Sequence, residues 1–183
     1  MEEDKILYKE FLDGNKEALN KLIKKYRDEL VFFIQRYVND FHAAEDVSQE
    51  VFVYLLQHKE VYDSQFTFKT YLYTIAKSRA YNYIKSRKKV VFIEDNVDYY
   101  CKDEVVDAEE EVFRNDESFK IKKAMKKLKK EYQVIITLID FNQLTYEEAG
   151  VVMEKTIPQI KSLIHNARKR LKEFLEKEIE EEV

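Results

Sequence analysis

Apolar residues along this chain recur at three- and four-residue intervals rather than in alternation, and they come in blocks separated by short polar breaks. The first block runs to Leu12 and stops at Asp13 and Gly14. The second is long: Leu19, Leu22, Ile23, Tyr26, Leu30, Phe33, Ile34 and Tyr37 share one face of a helix ending near residue 39. Asp40 is placed to cap a third helix reaching about residue 58. In a fourth, over 68–89, Phe68, Leu72, Ile75, Ala76, Ala80 and Tyr83 point inward, while Thr74, Lys77, Ser78, Tyr81, Lys85 and Lys88 point outward. From residue 117 onward, Phe119, Ile121, Met125, Leu128, Val134, Ile135, Leu138 and Ile139 predict two further helices. With two glycines, one proline and no alternating run in 183 residues, the pattern predicts an all-α protein.

Residues 145–171 carry two helix-start signals eleven positions apart. Thr145 with Glu148, and Thr156 with Gln159, are capping-box pairs that satisfy orphan backbone donors. Tyr146, Ala149, Val152 and Met153 form the apolar stripe of the first helix, and Ile157, Ile160, Ile164, Ala167 and Leu171 that of the second. Gln159, Ser162, His165, Asn166 and Lys169 lie opposite, as short polar or cationic groups able to reach base edges and phosphates. The pattern predicts a helix-turn-helix facing DNA. A plain helical hairpin with a solvated outer face fits the same spacing.

The third helix carries more apolar surface than docking requires. Ala44, Val47, Val51 and Leu55 suffice to seat it, while Phe52, Val53 and Leu56 project to the outer face beside Glu45, Asp46 and Gln49. That second stripe either meets a basic partner helix or lies beneath another helix of its own domain. On the fourth helix, cations interleave with tyrosines, a combination suited to phosphates and to stacking an unpaired base. The loop 62–67 either shapes a pocket for such a base or is an ordinary connection burying Phe66, and Tyr71 and Tyr73 either join it or pack.

The net charge of −4 conceals segregation: 120–130 holds seven lysines, 79–89 five cationic residues, and 90–117 eleven acids against Lys102 and Arg114. The aperiodic acidic stretch reads as a linker over 90–116, between one domain at 1–89 and a second, with the helix-turn-helix, at 117–183. A single cysteine, Cys101, and histidines scattered at 42, 58 and 165 argue against an internal disulfide or a structural metal. An acidic amino terminus without an apolar core, and no run long enough to span a bilayer, point to the cytoplasm. No nucleophile-base set, paired catalytic carboxylates or phosphate-cradling glycine loop is evident, so neither enzymatic activity, a cofactor nor a small-molecule substrate is expected.

Three segments carry a family resemblance. AEDVSQEVFVYLL at 44–56 resembles the helix by which sigma-70 family initiation factors grip the clamp helices of the largest RNA polymerase subunit. FKTYLYTIAKSRAYNYIKSRKK at 68–89 is similar to the minus-ten-reading helix of the extracytoplasmic function subfamily, and LTYEEAGVVMEKTIPQIKSLIHNARKRLKEF at 144–174 to its last domain. The resemblance implies a sigma factor that brings core polymerase to promoter DNA and assists melting. It further implies that Asp46, Gln49, Glu50, Phe52 and Leu56 contact the clamp, and that the loop through Phe66 and Thr67 receives a flipped base. Lys77, Ser78, Tyr81, Asn82 and Lys85 would meet the minus-ten strand, and Pro158, Gln159, Lys161, Ser162, His165, Arg168 and Lys169 the minus-thirty-five groove. An anti-sigma partner, often membrane-anchored, is implied as well. Two positions depart from the family's habit: Glu154 stands where glycine is usual in the turn, and Leu163 where an arginine often projects. The competing readings are a sigma-like decoy that binds a regulator but no promoter, and a helix-turn-helix repressor with a ligand cavity.

Overall fold

The computed structural model of the chain describes residues 2–59, 62, 65–91 and 117–180; beyond Val91 the expected linker lies outside them. Among the described residues the regular structure is helical throughout. In order it comprises α1 (Glu2–Leu12), α2 (Lys16–Val38), α3 (Phe41–His58), α4 (Phe68–Val91), α5 (Glu117–Lys126), α6 (Lys130–Ile136), α7 (Tyr146–Met153) and α8 (Ile157–Glu180).

Side chains at the boundaries explain where these helices begin and end. Asn15 accepts the Glu17 amide at 3.1 Å to start α2, and Asn39, in the left-handed region, turns its own N–H back to the Gln35 carbonyl to end it. The Asp40 carboxylate accepts the Ala43 amide at 2.6 Å and opens α3. Both capping boxes form with reciprocal bonds: Thr145 N–H donates to Glu148 Oε2 at 2.9 Å, and Thr156 N–H to Gln159 Oε1 at 2.9 Å. The second helix of the pair, α8, continues for 24 residues.

In the first domain α2 is the central helix, with α1, α3 and α4 packed around it. Leu22, Leu30, Phe33 and Ile34 supply its buried stripe. Tyr8 carries α1 into a group of rings, its centroid 4.9 Å from that of Phe68 and 5.6 Å from that of Tyr62. Nearby, the buried Asp4 carboxylate accepts from Lys25 and, at 2.9 Å, from the Tyr26 hydroxyl.

Wedged between α2 and α4, α3 buries a wide arc comprising Ala43, Ala44, Val47, Ser48, Val51, Phe52 and Leu55. The expectation that Phe52 faces outward is therefore corrected. Its ring is 6% exposed and belongs to the domain's own core, whereas Val53 and Leu56 are 47% and 45% exposed.

In the second domain α5, α6 and α7 gather on α8 through its inward stripe of Ile160, Ile164 and Ala167. The end of α6 widens into a π-helical turn, Thr137–Phe141, closed by the Asn142 amide on the Thr137 carbonyl at 2.9 Å. Gly150 allows α7 to approach the turn before α8, because a Cβ there would stand 2.8 Å from the Lys155 carbonyl oxygen.

The two helical domains do not stand apart. α7 lies along α4 and α6 along α2. The Lys130 ammonium donates to the Tyr37 carbonyl, and the rings of Phe32 and Phe141 meet edge to face at 5.4 Å. Arg36 stacks its guanidinium 4.0 Å from the Phe32 ring centroid, and burial lowers its pKa to about 10.

Candidate nucleic-acid and protein interfaces

Three surfaces collect the expected residues. On α3, Asp46, Gln49, Glu50, Val53 and Leu56 are exposed at i, i+3, i+4, i+7 and i+10, one continuous stripe of acids, an amide and aliphatic carbons. Glu45 lies at its flank, paired with Arg27 at 3.3 Å and His42 at 3.7 Å. Such a stripe suits a partner helix carrying cations around an apolar seam. Of the expected clamp residues, Asp46, Gln49, Glu50 and Leu56 share this stripe and Phe52 does not. Val53, absent from the expected set, occupies its centre.

On α4, Ser78, Tyr81, Asn82 and Lys85 are exposed on one face. The Tyr81 ring is 54% exposed and leans on Tyr37 with centroids 5.4 Å apart, which presents a flat aromatic surface beside cations. Burial, and then the neighbouring Tyr81, push the Tyr37 hydroxyl above its ordinary pKa. Lys88 lies where side chains are not described.

Of the loop 62–67, Tyr62, Gln65, Phe66 and Thr67 are described, and Phe66 is half-buried. Thr67 caps α4, its hydroxyl accepting the Thr70 amide at 3.2 Å. Tyr73 is fully buried and donates to Glu29 at 3.4 Å, so it packs, and Tyr71 stacks on Tyr62 at 5.3 Å beneath the loop.

On α8, Pro158, Gln159, Lys161, Ser162, His165 and Lys169 all lie exposed, while Leu163 is half-buried against the core. Arg168 is committed elsewhere. Its guanidinium grips Asp140 on the π-helical turn with Nε and Nη2, and the hydrogen bond to that carboxylate raises its pKa.

Where α7 meets α4, two carboxylates reach into this arrangement. Glu148 Oε1 accepts from the Thr67 hydroxyl at 2.6 Å and the Thr70 hydroxyl at 3.1 Å, while its other oxygen serves its own capping box. Burial works to raise the Glu148 carboxyl, but the donations from Thr67, Thr145 and Thr70 outweigh it and hold the group below the usual carboxylate range. Glu154 adopts φ 56°, a conformation costing a residue with a Cβ about 1–2 kcal/mol, and pairs with Lys77 at 2.8 Å. The Lys77 side chain is 14% exposed and that of Glu154 83%. Thr70 escaped sequence reading because a buried hydroxyl on an otherwise apolar flank has no marker except its spacing from Thr67.

Among the described residues no group of three or more His, Cys, Asp or Glu is placed to hold a metal ion, and no helix is long and apolar enough to cross a membrane.

Comparison with known proteins agrees with this geometry. Residues 22–90 match the family described as sigma-70 region 2, and residues 118–171 match sigma-70 region 4. The chain is 27% identical over 184 residues to the RNA polymerase sigma-H factor of Pseudomonas aeruginosa, covering 96% of this chain and 95% of that one. It is 25% identical over 183 residues to the ECF RNA polymerase sigma factor SigW of Bacillus subtilis, covering 91% and 94%. Among solved structures, the sigma factor RpoE bound to the anti-sigma factor NepR from Bartonella quintana shares the fold, with a TM-score of 0.65, 20% identity and coverage of 86% of this chain and 96% of that one.

Proposed function

Because the chain belongs to the sigma-70 family of RNA polymerase sigma factors, in its extracytoplasmic function subfamily, we propose a division of labour among its three exposed surfaces. The chain is a sigma factor, directing core polymerase to promoters and assisting their melting. The α3 stripe of Asp46, Gln49, Glu50, Val53 and Leu56 docks on the clamp helices of the polymerase. Phe52 supports that stripe from beneath. The loop at Phe66 and Thr67 takes up a base of the minus-ten strand, and Lys77, Ser78, Tyr81, Asn82 and Lys85 hold the strand by charge and stacking. Pro158, Gln159, Lys161, Ser162, His165 and Lys169 enter or flank the minus-thirty-five groove, with Arg168 bracing α8 through Asp140. RNA synthesis itself is left to the polymerase.

The observation that carries this reading is the placement, on one small domain, of an acidic and aliphatic stripe on α3 and a separate cationic and aromatic face on α4. Run-off transcription with purified core polymerase tests it. Tyr81→Ala or Lys85→Ala is expected to weaken open-complex formation and spare polymerase binding, and Leu56→Asp to do the reverse. Equal loss of polymerase binding in all three variants would overturn the division. Polymerase binding without any promoter-specific transcript would instead favour a decoy.

We infer also that an anti-sigma factor covers these faces and holds the chain at the membrane. The solved RpoE complex supports such a partner through a shared fold. Co-purification from detergent-solubilised membranes checks it, and recovery only from the soluble fraction would count against the anchored form.

A further inference from the structure

We propose that Glu148 and Glu154, at opposite ends of α7, latch the helix-turn-helix domain over one edge of the minus-ten face, so that the free protein holds itself closed against the melted strand. The proposal rests on the minus-ten reading of α4, and its test separates the two.

The chemistry of the seam is that of a nucleic-acid contact with protein carboxylates in place of phosphates. Thr67 and Thr70 give their hydroxyls to Glu148 at 2.6 and 3.1 Å, and Lys77 gives its ammonium to Glu154 at 2.8 Å. Hydroxyls at a helix start and a lysine ammonium further along the same helix are groups that a phosphate oxygen would take. Here an anionic oxygen of the same chain already occupies them, and the strand must displace it.

Each carboxylate is held by something beyond the pair itself. Glu148 lies at the N-terminal ends of two helices at once: one oxygen accepts the Thr145 amide at the start of α7, and the other faces the Thr67 cap of α4. Both helix dipoles favour a negative charge there. Glu154 sits at a left-handed position whose backbone favours glycine, so its side chain does nothing for the turn. The side chain instead reaches Lys77.

An exposed ion pair alone adds little. This one, however, closes alongside the half-buried, charge-assisted bonds to Glu148, the edge-to-face contact of Phe32 with Phe141, and Lys130 on the Tyr37 carbonyl. The covered edge comprises Thr67, Thr70 and Lys77. Ser78, Tyr81, Asn82 and Lys85 remain exposed, so closure blocks the loop end of the face and leaves the far end open.

The two carboxylates can be removed without damaging what they support. Glu148→Gln keeps the capping box, since Gln serves equally at that position, and Glu154→Gly suits the left-handed turn. The double variant and the parent chain are compared by small-angle scattering for radius of gyration, and by anisotropy for binding to a fluorescein-labelled, random-sequence single-stranded DNA pool at low salt. A control with matched charge, Asp13→Asn with Asp28→Asn, removes two exposed acids away from the latch.

The double variant is expected to expand and to bind the pool roughly tenfold tighter, the factor by which a ten-to-one closed population depresses affinity. The control is expected to do neither. A radius equal to the parent's, or an equal gain in the control, overturns the latch. Addition of Tyr81→Ala and Lys85→Ala to the double variant should abolish the gain; expansion with a gain that survives these changes overturns the minus-ten assignment and leaves closure intact. Lys77→Glu is expected to expand the chain, and Lys77→Glu with Glu154→Lys to restore its compactness; failure of the exchange to restore it counts against the ion pair.

Discussion

Asp4 shows what one buried carboxylate can tie down. It accepts from the Tyr26 hydroxyl at 2.9 Å and from the Lys25 ammonium, which fastens the first turn of α1 to α2. Burial works to raise its pKa, but those donors and the Lys25 charge outweigh burial, so the folded value lies below the ordinary one. A depressed carboxylate contributes stability that is present above the unfolded value and lost as pH falls through the folded value. Asp4→Asn is therefore expected to lower the urea midpoint fully above the ordinary carboxylate range and to converge on the parent as pH falls below it. A deficit independent of pH would assign the contact to packing instead of charge. Gly150 makes a steric counterpart. Alanine there would gain helix propensity but meet the Lys155 carbonyl at 2.8 Å, so Gly150→Ala is expected to lose about 1–3 kcal/mol in denaturant unfolding.

At the scale of elements, α3 separates stability from binding within five residues. Phe52 is buried on a helix that packs against both α2 and α4, and Phe52→Ala is expected to cost about 3–5 kcal/mol in urea unfolding. Leu56, half out in solvent, should cost under about 1 kcal/mol on truncation while weakening polymerase binding. If Phe52→Ala unfolds like the parent and fails only to bind polymerase, the ring belongs to the interface after all. Helix starts were legible in the sequence because a cap and its partner lie three residues apart, as with Thr145 and Glu148. The outward placement of Phe52 failed because a projection about one axis assumes one buried stripe, and a helix wedged between two neighbours buries two. The π-helical turn left no compositional trace: one extra residue per turn changes phase, not residue type. The second oxygen of Glu148 meets Thr67 across 81 positions, beyond any local pattern.

At the scale of the whole molecule, the closed arrangement treats its two partners differently. The α3 stripe of Asp46, Gln49, Glu50, Val53 and Leu56 is exposed while α7 lies on α4, so a polymerase helix can dock before the domains part. The strand cannot engage the loop end of α4 until they do, since Thr67, Thr70 and Lys77 are taken. A ligand shifts an equilibrium only by its differential affinity for the two states, and a clamp-helix fragment touching α3 alone has little reason to distinguish them. Such a fragment should thus bind the parent chain and the chain carrying Glu148→Gln with Glu154→Gly with affinities within about twofold, measured by calorimetry, whereas single-stranded DNA separates them by about tenfold. Promoter DNA, whose melted strand needs the covered edge of α4, should instead favour the unlatched chain and so relieve closure as it binds. Were the fragment itself to prefer the unlatched chain tenfold, opening would precede polymerase docking, and the order in which this sigma factor meets polymerase and promoter would be reversed.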